Sequence, residues 1–328
     1  MKDLTILIQG PFFEFENYNS NKNINLLNKV FPEANILIST WEGENRFKIK
    51  DNYKIIYNKD PGFVHDEHYG SLTPGSNIQR QIESVQNGLK EINTKYTLKI
   101  RSDCYLNSDK ILNLNTKSFN VNEKYSFFGE RIITSSVGSL NQSKTLILYH
   151  YSDWFNYGLT RDIKKLWENI KIEESDIKFF SNFTKEKKNI YGKNWDLKFT
   201  AEQIIYFKSV SNKIDNKIIH AHDFSKRKLK EAEYYLINNI YLVDPDSIDF
   251  IFPKYDEKIN KNLKKNNTNI RSKELIFLSY SNEEWVQLYK KQNKIDYFTK
   301  INFSKEIFRL KFKIKNFLYK YFRFIFIS

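Results

Sequence analysis

The chain has 328 residues, 40% of them apolar, and a net charge of +14 from 53 Lys and Arg against 39 Asp and Glu. That length suits one large α/β domain or two smaller ones, and the charge points to anionic partners: nucleic acid, membrane phospholipid or phosphorylated sugars. One cysteine, Cys104, excludes an intramolecular disulfide and any zinc site built on several cysteines, and it fits a reducing compartment.

Residues 4–9 read as a buried strand ending at Gln9-Gly10-Pro11. The apolar run is too short for a signal-peptide core, and no stretch reaches the roughly 20 apolar residues that cross a bilayer as a helix, so a cytoplasmic protein is expected. Residues 21–30 are weakly helical through Ile24, Leu27 and Val30. Strands follow at 35–41 and 53–57, then a loop from Asp60-Pro61-Gly62 that carries His65 and His68. Ile78, Ile82, Val85 and Leu89 form one stripe of a helix over 78–92, with Ser76 or Asn77 as cap. Residues 96–101 form a strand that stops at Arg101-Ser102-Asp103 before a polar turn.

This alternation predicts an open α/β sheet with mostly parallel strands. Gln9, Thr40 and Asp103 fall at strand carboxyl ends, where such sheets bind ligands, beside the amino end of the helix carrying Asn77, Arg80 and Gln81. Arg101 can clamp a phosphate with its planar fork, and Asp103 can hold a divalent cation or a ribose hydroxyl; the bland reading of the pair is a surface salt bridge. The sequence has neither GxGxxG nor GxxxxGK[ST], which argues against dinucleotide-binding and P-loop enzymes.

Further on, residues 145–151 read as a strand leading into Ser152-Asp153-Trp154-Phe155. Asp153 is a candidate general base next to rings that could stack on a sugar, or else a helix cap. Helices are expected over 160–170, from Ala201, and over 225–239. Glu202 is a second candidate base, or an acid favoured at a helix start by the dipole. His220 and His222 alternate on a strand-like segment, which would turn both rings to one side as metal ligands. A Lys- and Asn-rich linker covers 258–269. In the last helix Phe303, Ile307, Leu310, Ile314, Phe317, Leu318 and Tyr321 form one stripe, with Lys305, Arg309, Lys313, Lys315, Lys320 and Arg323 around the rest. Residues 303–328 hold seven Lys/Arg and one acid, Glu306. The pattern is that of an interfacial helix on anionic lipid; the bland reading packs the stripe on the domain and solvates the lysines.

In order along the chain, Ile8-Gln9-Gly10-Pro11, Leu37-Ile38-Ser39-Thr40-Trp41, Asn77-Ile78-Gln79-Arg80-Gln81-Ile82, Gly88-Leu89-Lys90, Lys99-Ile100-Arg101-Ser102-Asp103, Ser152 to Gly158, Asp162, Trp167, Glu202-Gln203 and Asn238-Asn239 resemble the WavE lipopolysaccharide-synthesis family of bacterial surface-polysaccharide enzymes, over about residues 4–255. The resemblance implies a GT-A-like, Rossmann-type open mixed sheet flanked by helices over 1–255; beyond it, composition and periodicity give a linker and helical extension over 256–302 and a basic membrane-associating helix over 303–328. The resemblance also implies a glycosyltransferase that moves a sugar from a nucleotide-sugar donor to lipopolysaccharide core or capsular polysaccharide, at the inner face of the cytoplasmic membrane. Donor binding would fall to Gln9, Gly10, Thr40, Asn77, Arg80, Arg101 and Asp103, and catalysis to Asp153 and Glu202. Such folds usually carry Asp-x-Asp where this chain has Arg101-Ser102-Asp103. Either Mg2+ or Mn2+ sits on Asp103, with His222 as a further ligand, or Lys99 and Arg101 neutralise the leaving phosphate without metal. A CMP-sugar, with its single phosphate, is a third possibility. The alternatives are a sugar- or polyol-phosphate transferase using a CDP-linked donor, and a non-enzymatic basic scaffold at the membrane. Nucleic-acid binding lacks a recognition motif among the basic residues.

Overall fold

Strand β1 (Leu4–Gln9) is buried along its whole length. Such a run needs cover on both faces, which a central strand of an α/β sheet provides. In the computed structural model, which describes residues 3–48, 53–62, 77–177, 179, 197–256, 275–295 and 303–321, β1 lies between two parallel neighbours, β2 (Asn35–Trp41) and β4 (Tyr96–Arg101). β3 (Lys54–Asn58) extends the sheet beyond β2. On the other side come β5 (Ile132–Ser135), β6 (Phe155–Leu159) and β7 (Ile240–Val243), giving the order β7-β5-β6-β4-β1-β2-β3. Only β6 runs antiparallel to its neighbours. The expected open mixed sheet flanked by helices is therefore what the chain forms.

Alternation along the strands sorts the core into two layers. Leu4, Ile6, Ile8, Ile36, Ile38, Leu98 and Ile100 meet Ile24 and Leu27 of helix α1 (Ser20–Val30). Leu7 and Leu37 face the opposite layer, built from α2 (Ile78–Lys90), α3 (Thr160–Trp167), α4 (Ala201–Lys208) and α5 (Lys226–Asn239). At Gly88 helix α2 comes so close to β1 that an added Cβ would meet Leu7 Cδ1 at 2.5 Å. Residues 275–295, expected as linker and extension, contribute Tyr280 and, from α6 (Asn282–Gln292), Trp285, Leu288 and Tyr289 to the same core layer.

Three expectations are corrected. Residues 145–151 are not a strand. Gln142–Thr145 is one helical turn, and Leu146 and Tyr149 take φ of 62° and 59°, left-handed values incompatible with an extended run. The strand comes one segment later, as β6, so Asp153 precedes a strand rather than following one. Residues 219–223 form a turn, in which His222 N–H donates to His220 Nδ1, so the two rings do not share a strand face. His65 and His68 lie outside the described residues.

The third correction concerns α7 (Phe303–Tyr321). Arg309 and Lys305, expected on a basic outer face, point into the domain. Arg309 is fully buried; its fork reaches Glu284, Glu306 and the carbonyls of Phe277 and Ser279. Lys305 Nζ donates to Glu284 at 2.8 Å. Phe308 and Phe312 pack on Leu140, Ile147 and Leu278. No helix among the described residues is long and apolar enough to cross a membrane.

Gly88→Ala is expected to cost about 1–3 kcal/mol by overpacking against Leu7, read as a lowered urea midpoint. A second outcome concerns pH. Burial works against the charged form of Glu284, but Arg309 and Lys305 outweigh it and bring its pKa from 4.5 to about 2. A carboxyl depressed on folding stabilises the folded form above its unfolded pKa and loses that contribution as pH falls through its folded one. The docking of α7 should therefore hold at neutral pH and loosen between pH 4.5 and about 2, seen as faster amide exchange over residues 304–314. In Glu284→Gln the exchange should already be fast at neutral pH.

Candidate functional site

The carboxyl ends of β1, β2 and β4 share one edge of the sheet. Gln9, Ser39 and Arg101 are register neighbours across it. Ser39 Oγ donates to the Ser84 carbonyl of α2 at 2.7 Å, tying that helix to the edge. Because β6 runs the other way, its amino end arrives at the carboxyl end of β4: Arg101 N–H donates to the Trp154 carbonyl at 3.1 Å. Asp153 is thereby delivered to the rim from a distant part of the chain.

There Arg101 stands between two carboxylates. Its fork grips Asp103 through Nε and Nη2, both at 2.9 Å, and Nη1 lies 3.5 Å from Asp153 Oδ2. Burial would raise the Asp103 carboxyl, but the charge and hydrogen bonds of Arg101 hold it below its ordinary value. Beneath them Lys99 is fully buried, donates to the Asp153 carbonyl at 2.6 Å and lies over the Trp167 ring at 5.0 Å. Burial brings its pKa down to about 8, against the opposing pull of Asp153. The turn after β4 is held by Ser102, whose N–H reaches the Gln9 carbonyl and whose Oγ reaches Pro11 O at 2.6 Å. Gly10, at φ +119°, leaves room for it: a Cβ there would come within 3.0 Å of Ser102 Oγ.

An aromatic wall borders the cluster. Trp154 meets Phe252 edge-on at 4.8 Å and stacks on Tyr255 at 5.9 Å. The Tyr255 hydroxyl is pushed up by burial first; Arg101 opposes the shift, and Asp103, Asp153 and Glu202 add to it. Glu202, in the first turn of α4, therefore acts on the same space. Its Oε2 lies 3.6 Å from His150 Nδ1, which is 2.9 Å from Thr200 Oγ1. The sequence reading missed His150, because its partners are about fifty residues away and only the fold brings them together.

Not every expected residue joins this cluster. Arg80 is paired with Asp60 at the end of β3 and donates to Asn77 Oδ1 at 3.2 Å. Asn77 is the N-cap of α2 by position but makes no side-chain cap bond. Strand β3 lies three strands from β4, about 14 Å at the usual spacing. Arg80 and Arg101 thus mark two stations along one rim. Between them sit buried polar atoms without a partner among the described residues: Gln9 Oε1, Thr40 Oγ1 and Gln81 Oε1. Leaving such a group unmade costs about 1–3 kcal/mol, a cost that a hydroxyl- or amide-bearing ligand would remove.

Both Asp103 oxygens are engaged by Arg101, and no three His, Cys, Asp or Glu residues converge as ligands among the described residues. His222 lies in the 219–223 turn, where its N–H donates to His220 Nδ1. Cys104 is buried, and burial, then Asp103, push its thiol well up, so it is no nucleophile. A cavity of about 700 Å³ opens at the opposite, amino end of the strands, beside Thr5, Asn35 and Thr94, away from the rim where such sheets bind ligands.

The family model of WavE lipopolysaccharide synthesis matches residues 4–315, almost the whole chain. The protein belongs to the WavE family. In this WavE chain the match runs past residue 255 to take in α6 and much of α7. No curated protein matches it. Among solved structures, a glycosyltransferase involved in the glycosylation of the major capsid of PBCV-1 is similar over 70% of this chain and 97% of that one, at 13% identity. The TM-score of that match is 0.27. Several residues behind the family resemblance prove architectural. Asp162 accepts the N–H groups of Gly129 and Glu130, Asn239 accepts those of Phe127 and Phe128, and Gln203 donates to the carbonyls of Leu148 and Ala221.

Arg101→Met removes the cation between two mostly buried carboxylates. It is expected to cost about 3 kcal/mol in urea unfolding at neutral pH. Asp103→Asn, which keeps the shape and leaves Asp153 paired, should cost less.

Proposed function

We propose that this WavE protein is a glycosyltransferase of GT-A-like architecture that moves a sugar from a nucleotide-sugar donor to a lipopolysaccharide core or capsular polysaccharide acceptor. The observation that carries the reading is Arg101 between Asp103 and Asp153, at the carboxyl rim of a mostly parallel sheet and beside buried polar atoms lacking partners. Family membership narrows the biology to lipopolysaccharide synthesis.

Glycosyl transfer places new negative charge on the leaving phosphate as the sugar–oxygen bond breaks. Preorganised cations at that point stabilise the transition state more than the ground state. Lys99, Arg101 and Lys254, whose charge also acts on Asp103, supply them in this proposal. Gln9, Thr40 and Gln81 would engage hydroxyl or amide groups of the donor, with Asn77 and Arg80 at its far end. Gly10 lets the chain turn closely there. Asp153 is the first candidate to take the proton of the acceptor hydroxyl, because it is held against Arg101 yet lies beside the Trp154–Tyr255 wall on which a sugar ring could stack. Glu202 is the second, with His150 as its neighbour. The acceptor is carried on a membrane lipid in this reading, so the enzyme would work as a peripheral protein at the inner face of the cytoplasmic membrane.

Purified protein offered a panel of nucleotide sugars and a truncated core acceptor is expected to transfer one of them. Asp103→Asn should lower kcat/KM by about 100-fold through a loosened Arg101. Asp153→Asn should lower kcat by about 100-fold or more with little change in donor KM. Unchanged transfer in both variants, or no donor turned over, would sink the assignment. A phosphodiester in the product would point to phosphotransfer from a CDP-linked donor instead.

A further inference from the structure

Helix α7 is docked by the face that its sequence pattern marks as polar. Phe308, Arg309, Phe312 and Lys305 hold it to the domain, and Arg309 is 1% exposed. The apolar stripe is left outside: Ile307, Leu310 and Ile314 are 55%, 58% and 48% exposed. These are three of the nine large apolar side chains exposed among the described residues, and they stand in line at helical spacing. Lys311 and Lys313 are both exposed. At about 100° per residue they fall about 80° to either side of the stripe's centre. A helix that only completed the core would turn its apolar stripe inward. This one turns the stripe outward and spends a buried ion cluster to fix that orientation.

We propose that the outward face of α7 seats the protein on an anionic lipid bilayer, with Ile307, Leu310 and Ile314 entering the headgroup–acyl boundary and Lys311 and Lys313 meeting lipid phosphates. Charge selects this occupant. A second copy would bring identical lysine rows against each other, whereas an anionic bilayer offers both an apolar layer and negative charge at the depth an interfacial helix reaches. Lys305 and Arg309 are taken up by Glu284 and Glu306, so the added attraction comes from the other five Lys and Arg of residues 303–328. The Arg309–Glu284 pair lets the whole domain move as one body with the helix, holding the site at a fixed attitude to the surface.

The test uses the full chain and sedimentation with vesicles of phosphatidylcholine alone or with about one-third phosphatidylglycerol. The protein should pellet with the anionic vesicles and much less with the neutral ones. Ile307→Asn/Leu310→Asn/Ile314→Asn together should lower partitioning at least tenfold with an unchanged melting temperature. Lys311→Gln and Lys313→Gln should each lower it about fivefold and weaken its salt dependence. Equal partitioning of the triple variant, or no binding of the native chain to anionic vesicles, overturns the proposal. So does a native dimer that the triple variant abolishes while vesicle binding is unchanged. Partitioning is read without catalysis, so this inference and the glycosyltransferase reading fail separately.

Discussion

The Lys99 ammonium, with no exposure to solvent, donates to the Asp153 carbonyl and rests on the Trp167 ring. A buried lysine is costly unless its proton donors are used, so the segment carrying Asp153 must stay where it is. That segment leads straight into β6, whose antiparallel course next to β4 sets where residues 152–154 end up. Arg101, two residues further along β4, then finds Asp153 on one side and Asp103 on the other. The charged rim is thus a consequence of strand direction locked by one buried cation.

The parallel half of the fold was legible because its residues state it locally. Leu4 to Gln9, Asn35 to Trp41 and Tyr96 to Arg101 are apolar runs with polar ends, and Ile78, Ile82, Val85 and Leu89 repeat at helical spacing. Their polar carboxyl ends line up from the residue pattern alone. The antiparallel half was not legible in the same way. Residues 145–151 have strand composition, yet Gln142 Oε1 takes the Tyr149 N–H and two left-handed residues fold the run back on itself. Ile132–Ser135 is too short to stand out, and it is a strand because β7 and β6 flank it.

The site shows the same division. Gln9, Thr40, Arg101 and Asp103 were placed together by reading strand ends. His150 beside Glu202, the Lys99 contact to Asp153 and the separation of Arg80 by its pairing with Asp60 depend on tertiary geometry. On α7 the sequence gives the periodicity correctly but not which face docks. The stripe is the better hydrophobic surface, and Arg309 wins the contest because Glu284, Glu306 and two carbonyls satisfy its whole fork.

The central position of β1 has a consequence in time. Leu4 to Ile8 are synthesised before either strand that flanks them, and the partner on one side, Tyr96–Arg101, lies about ninety residues later. At about 5–20 residues per second the ribosome takes roughly 5–20 s to deliver it. For that interval an uncharged β-strand has at least one free hydrogen-bonding edge and no finished cover. Until Arg101 has emerged, that edge is open to pairing with other extended chains, a hazard set by the order of the strands along the chain and not by the packing of the finished fold.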